Sequence, residues 1–194
     1  MENEFEDLVN LLAGCRKQDR KCQKLLYKSF YGFAMAICLR YARNRAEASE
    51  IMNNGFFKVF SDIKEYNSKK SFNAWLGRIM THISIDYYRD NLNELITDDI
   101  ENSHVAYTEP SEDTYREQRK LLAMIQQLPD RLRLAFNLYA IDGYTHKEIG
   151  EILGNSEGAS RVLLFRAREI LKKMIEATGW NQLYPNDFKT KAFV

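Results

Sequence analysis

The chain of 194 residues, 45% of them apolar and 28% charged, has material for one medium core or two small ones, and this composition excludes a disordered or fibrous polymer. No apolar run approaches the ~20 residues a membrane-spanning helix needs, and the acidic residues 1–10 lack the basic-then-apolar order of a secretory signal. The net charge of +1 conceals a pattern: residues 1–90 carry +4, residues 91–118 carry −7, and residues 119–194 carry +4.

In chain order, everything periodic reads as helix, so the expected fold class is all-α: two small helical domains joined by an acidic linker. The cysteines Cys15, Cys22 and Cys38 form no CxxC pair and read as reduced thiols, which suits a cytoplasmic protein. Over residues 22–41, Leu26, Phe30, Phe33, Ala34 and Ile37 recur at helical spacing. Asn44 and Glu47 have the spacing of a capping box, and the helix they open carries a regular stripe of Ala48, Ile51, Met52, Gly55, Phe56, Val59, Phe60 and Ile63. A polar loop follows, Ser71 is placed to cap the next helix, and that helix turns Trp75, Leu76, Ile79 and Ile83 inward before ending near Arg89. Periodicity then lapses through about residue 110, in a stretch with Thr-Asp-Asp and Thr-Glu-Pro. This acidic segment is either a solvated tether or a device that mimics or repels nucleic acid beside the basic blocks. Both readings give the same organisation: a domain over 1–90, a linker over 91–118, a second domain over 119–176 and a tail over 177–194, whose Trp180, Tyr184, Phe188 and Phe193 either dock or fray.

In the second block Leu121, Leu122, Ile125 and Leu128 share a face that Pro129 terminates. Residues 131–141 are apolar nearly all round, the mark of a buried helix. After an Asp142-Gly143 turn, Thr145 and Glu148 form a capping box, Ile149, Ile152 and Leu153 supply an apolar face, and Gly154 stands where a left-handed residue ends a helix. Ser156 then caps a last helix reaching about residue 176. A short capped helix, a glycine turn and a longer basic helix is the layout of a DNA-reading helix-turn-helix. Leu164, Ala167, Leu171 and Met174 give the last helix its core face, Arg161, Arg166, Arg168, Lys172 and Lys173 its cations, and Ser160 a hydroxyl for a phosphate. An ordinary helical hairpin with a basic solvated face is the alternative.

Two further groups stand out. Glu50, Asn53, Asn54, Phe57 and Ser61 form the polar face of the second helix, and a phenylalanine among amides is either a protein-docking anchor or a lone exposed aromatic. Next, Asn67, Ser68, Lys69, Lys70 and Ser71 precede a helix exposing Asn73, Arg78, His82, Tyr87, Tyr88 and Arg89. Cations interleaved with amides and aromatics suit single-stranded nucleic acid, although a tyrosine pair at a helix end also serves packing. His82, His104 and His146 lie on different elements, away from any triad or metal-ligand spacing, so neither catalysis nor a metal or cofactor is expected.

Taken in order, these pieces resemble the extracytoplasmic-function (ECF) group of the sigma-70 family of RNA polymerase sigma factors, over about residues 22–176. Glu-Ala-Ser-Glu-Ile-Met-Asn-Asn-Gly-Phe-Phe-Lys-Val-Phe (47–60) resembles the polymerase-docking helix of region 2. Ser-Phe-Asn-Ala-Trp-Leu-Gly-Arg-Ile (71–79), running on to Ile-Asp-Tyr-Tyr-Arg (85–89), resembles its −10-reading segment. Leu-Pro-Asp-Arg-Leu-Arg-Leu-Ala-Phe (128–136), Gly-Tyr-Thr-His-Lys-Glu-Ile-Gly-Glu-Ile-Leu-Gly (143–154), Ser-Glu-Gly-Ala-Ser-Arg (156–161) and Arg-Ala-Arg (166–168) resemble region 4, which reads −35. The resemblance implies that Glu50, Asn53, Asn54 and Phe57 dock on core RNA polymerase. It places the −10 element against Asn67, Ser68, Lys69, Lys70, Ser71, Asn73, Arg78 and His82, with the loop capturing a flipped base. It places −35 promoter DNA against Ser160, Arg161, Arg166, Arg168 and Lys172, and it admits an anti-sigma factor as a regulatory partner.

This chain departs from the family pattern at Asn53 and Asn54, where Gln and an acidic residue are usual, and at Val162, Leu163 and Phe165, where polar residues are usual. Those three hydrophobes either touch thymine methyl groups or pack on the first block, an anti-sigma factor or a second copy. A stand-alone helix-turn-helix repressor and a sigma-like interaction protein that binds no DNA stay open at this point.

Overall fold

The computed structural model describes residues 2–90 and 113–178, with side chains from Leu8 to Asp90 and from Lys120 to Thr178. All regular structure among them is helical. The expected linker up to residue 112, His104 and the aromatic tail beyond residue 178 lie outside the described residues. The chain divides into two compact units at residues 87 and 88.

The first unit holds α1 (Glu2–Arg16), α2 (Arg20–Tyr41), α3 (Arg45–Asp62) and α4 (Phe72–Asp90). Helix α1 was not expected from the sequence. It packs on α2 through Leu12 and Cys15, both buried, and its last residue fastens the unit: Arg16 Nη2 donates to the Tyr66 carbonyl at 2.9 Å and Nε to the Ile63 carbonyl at 3.4 Å. A guanidinium thereby satisfies carbonyls left over where α3 ends. Asp19 caps α2 by accepting from the Lys21 amide at 2.8 Å. Asn44 caps α3 as expected, accepting from the Glu47 amide at 2.9 Å, but Glu47 reaches back one residue further than a capping box, to the Arg43 amide at 2.8 Å. The α3 stripe is buried except at its Phe60, which is half-buried: Ala48, Ile51, Met52, Phe56, Val59 and Ile63 are at 2% exposure or less.

On α4 the buried line is Phe72, Leu76, Met80 and Ser84. Of the expected line only Leu76 belongs to it; Trp75, Ile79 and Ile83 are half-buried beside it. The cysteines are thiols, and burial pushes Cys15 up to about 11 and Cys38 up to about 12, so both stay protonated and unreactive near neutral pH.

The second unit holds α5 (Asp113–Gln126), α6 (Asp130–Phe136), a π-helical turn (Asn137–Ile141), α7 (His146–Leu153) and α8 (Glu157–Ala177). Its core joins Met124, Ile125 and Leu128 to Leu132 and Phe136, and closes on Leu164, Ala167, Leu171 and Ile175 of α8. The segment expected as one buried helix over 131–141 is therefore two pieces, and Ile141 at its end is exposed. Within α6 a charged side chain is part of the interior. Arg133, 4% exposed, donates to the carbonyls of Gln126 at 3.1 Å and Leu128 at 3.3 Å and pairs with Asp130. One guanidinium thus ties the end of α5 to the start of α6.

Candidate nucleic-acid and polymerase interfaces

The helix-turn-helix forms as its local chemistry dictates. Thr145 Oγ1 accepts from the Glu148 amide while Glu148 accepts from the Thr145 amide at 2.8 Å, a complete capping box. Gly154 closes α7 with φ 64°, a left-handed value that glycine adopts without a Cβ penalty. Ser156 caps α8 by accepting from the Ala159 amide at 3.1 Å. What sequence reasoning missed is how tightly the turn is held. The Asn155 amide donates to the Gly150 carbonyl at 2.8 Å, and a Cβ on Gly150 would stand 2.8 Å from the Asn155 carbonyl oxygen. Only glycine lets the turn pass this close to α7.

Of the residues expected to contact −35 DNA, Arg161, Arg166 and Lys172 are exposed on α8, as is Lys173. Ser160 is a correction to the expectation. It is fully buried and shares a hydrogen bond of 3.1 Å with His146 Nδ1, so its hydroxyl is committed inside the motif rather than offered to a phosphate. His146 in turn stacks on Tyr139, with ring centroids 4.5 Å apart. The Arg168 guanidinium, half-buried, lies 5.7 Å from the centre of the Tyr139 ring and so helps to hold the motif together. Partial burial, then the nearby Arg161 and Arg168, hold the His146 imidazole below its ordinary value of 6.5 and so favour the neutral ring, although Glu157 pulls the other way. Val162 and Phe165 are 50% and 65% exposed. Nothing else among the described residues of the second unit covers them, whereas Leu163 packs against the core of that unit.

In the first unit, α3 brings Glu50, Asn53, Asn54 and Phe57 onto one exposed face, and Phe57 is 77% exposed. Two tyrosines from other helices support this face and were not anticipated. Tyr27 of α2 donates to Asn53 Oδ1 at 3.1 Å, and Tyr87 of α4 donates to Glu50 Oε2 at 3.4 Å. Burial, then the charges of Glu47 and Glu50, raise the Tyr87 phenol, so it stays a donor. The face is thus a polar frame around one unsupported phenyl ring.

The loop 67–71 is a fixed turn. The Lys69 amide donates to Asn67 Oδ1 and the Lys70 amide to the Asn67 carbonyl, each at 2.9 Å, and the Tyr66 hydroxyl donates to the Lys70 carbonyl. Tyr66 itself is wedged between Phe72, 5.4 Å away, and Trp75, 5.1 Å away. The side chains of Asn67, Ser68, Lys69, Lys70 and Ser71 therefore stand in solvent on an aromatic base, and Ser71 contributes only a 3.4 Å cap contact to the Ala74 amide. Arg78 and His82 sit one turn apart on one exposed face of α4, continued by Arg89, while Asn73 lies on a different flank beside the loop. The eight residues expected at −10 thus form a loop cluster including Asn73 and a separate helical line, not one continuous patch.

Comparison with known proteins agrees with this architecture. The family model for Sigma-70 region 2 matches residues 26–93, and that for Sigma-70, region 4 matches residues 118–171. The ECF RNA polymerase sigma-E factor of Haemophilus influenzae is 24% identical over 178 residues, covering 86% of this chain and 94% of the relative. The ECF RNA polymerase sigma factor SigW of Bacillus subtilis is 27% identical over 157 residues, covering 72% and 81%. Among solved structures, the sigma factor RpoE in complex with the anti-sigma factor NepR from Bartonella quintana aligns over 91% of this chain and 98% of that one, at 18% identity and a TM-score of 0.46. With both regions matched in order and relatives aligned along most of their length, the chain belongs to the sigma-70 family, in its extracytoplasmic-function group.

Proposed function

We propose that this sigma factor divides its work among three surfaces: Glu50, Asn53, Asn54 and Phe57 grip core RNA polymerase, the loop 67–71 with Asn73, Arg78 and His82 engages the −10 element, and Arg161, Arg166, Lys172 and Lys173 hold the −35 element. As a member of its family the chain directs promoter-specific transcription initiation, with core RNA polymerase and promoter DNA as partners, and it has no catalytic activity of its own. A cytoplasmic location is part of this reading; no described helix is long and apolar enough to cross a membrane. A regulatory anti-sigma factor belongs to the same reading. Ser160 and Arg168 support the DNA-reading helix from within and beside it, and are left out of its contacts.

The observation that carries the docking assignment is Phe57, 77% exposed at the centre of a face whose polar groups other helices hold in place. An aromatic ring kept in water by a pre-formed polar frame has the makeup of an interface hot spot. Phe57→Ala tests it: a loss of at least 2 kcal/mol, about thirtyfold in affinity for core polymerase, is expected with unchanged thermal stability. Unaltered affinity would remove the assignment.

A further inference from the structure

The outward face of α8 is not that of an ordinary solvated helix. Leu164, Ala167, Leu171 and Ile175 are buried, which places Gly158, Val162, Phe165 and Glu169 along the opposite ridge. Two large apolar side chains, 50% and 65% exposed, therefore occupy the middle of the outer face. Exposed cations border the ridge on both sides, Arg161 and Lys172 along one and Arg166 and Lys173 along the other. Arg161 pairs with Glu157, one turn earlier, with both side chains at least half in solvent, so exchanging that partner for a phosphate costs little.

An apolar ridge between two cationic rails needs a surface with anionic rails and apolar points between them. The major groove of DNA has that form: two phosphate backbones flank a floor whose one apolar group is the thymine C5-methyl. Even with Glu169 on the ridge and Glu157 beside Arg161, a second copy would set one net-positive face against another, so self-association through it is opposed. We propose that Val162 and Phe165 are specificity residues that pack on thymine methyl groups of the −35 element while the flanking cations hold the two backbones. Their separation along the helix axis is about 4.5 Å, against a base-pair rise of about 3.4 Å, so the two side chains address neighbouring base pairs. The inference rests on α8 being the major-groove helix and adds which base it reads.

The test uses the full chain assembled with core polymerase and duplexes randomised across the −35 element. Selected duplexes are expected to carry thymine at neighbouring steps, and replacing those thymines by uracil, which lacks only the methyl, is expected to weaken binding about fourfold per methyl removed. Val162→Ser and Phe165→Ser are expected to erase the thymine–uracil difference while salt-dependent binding persists; both positions are exposed, and thermal melting verifies that the variants fold. Arg166→Ala is expected to weaken thymine and uracil duplexes equally. Selected sequences without thymine, or equal binding of the uracil duplex, overturn the proposal. So does a Phe165→Ser variant that keeps the selected sequence and loses only binding to itself or to another protein. If no −35 sequence is selected and Arg166→Ala changes nothing, α8 is not the DNA reader, and the failure lies in the underlying functional reading.

Discussion

Gly150→Ala probes the helix-turn-helix at its tightest point. The added Cβ would meet the Asn155 carbonyl oxygen at 2.8 Å, the Ser156 carbonyl carbon at 3.1 Å and the Glu157 amide nitrogen at 3.2 Å. All three are backbone atoms, so no side-chain rotation relieves the contact, and the turn must withdraw from α7, straining the 2.8 Å bond from the Asn155 amide to the Gly150 carbonyl. Overfilling a closely packed site costs about 1–3 kcal/mol, and the better helix propensity of alanine returns about 1 kcal/mol. The expected balance is a destabilisation of up to about 2 kcal/mol. Gly158→Ala, in the same unit, is the control, since its Cβ would meet only Ser156 Oγ at 3.8 Å. There the propensity gain stands alone, up to about 1 kcal/mol, so one chemical change has opposite signs at two sites. Amide hydrogen exchange of the full chain reads both, because a shift of 1–2 kcal/mol changes the opening equilibrium of α7 and α8 about 5–30-fold. A Gly150→Ala protein as well protected as Gly158→Ala would refute the packing argument.

Arg133→Met is expected to cost about 3 kcal/mol in urea unfolding of the second unit, because the carbonyls of Gln126 and Leu128 and the Asp130 carboxylate lose their shared donor; a loss below about 1 kcal/mol would show that water replaces the guanidinium. Since the folded protein holds His146 below its ordinary 6.5, the unfolded chain takes up the proton first. The second unit should then lose stability as pH falls below about 6.5 and His146→Gln should flatten that loss, whereas equal slopes for the two proteins would contradict it. With Arg161, Arg166, Lys172 and Lys173 each on a phosphate, log affinity for −35 DNA should fall with log salt at a slope of about −3 to −4, and Arg166→Ala should make it shallower by about 1. A slope near zero would argue against backbone contacts by this helix.

What the sequence made legible is what local chemistry decides. The caps at Asn44, Thr145 and Ser156 and the left-handed Gly154 depend on residues at most three apart, and all form. The stripe on α3 has one apolar face and no rival, so its burial followed. Helix α4 carries two adjacent apolar lines, and only packing against the rest of the unit selects Phe72, Leu76 and Met80 over Trp75, Ile79 and Ile83. Helix α1 begins with an acidic stretch that reads as polar chain, and it is held by a contact between Arg16 and residues 47 and 50 positions later. Ser160 shows the limit for the site itself. A serine early in a basic helix has the same sequence signature whether it donates to a phosphate or to a neighbour within the fold, and its partner His146 lies 14 residues earlier. Tyr27 and Tyr87 were invisible as supports of the face around Phe57 because they come from two other helices.

The exposed aromatics and the energetics of strand opening point to one division of labour. Stacking is worth about 1.4 kcal/mol per base step, so opening roughly ten steps costs on the order of 14 kcal/mol. A captured base returns about 1–3 kcal/mol, and a turn as short as 67–71 would hold one or two, so on the proposed assignment these surfaces would recognise a promoter without being able to melt it. The missing energy comes from the polymerase that holds both units. Phe57, Val162 and Phe165 fit the same account. Each keeps apolar surface in water at a cost on the order of 1 kcal/mol in the free chain, a tolerable fraction of a folding stability of about 5–15 kcal/mol. Serine at any of these positions would leave the free protein as stable or more so and, on the proposed assignments, would weaken assembly with polymerase or DNA.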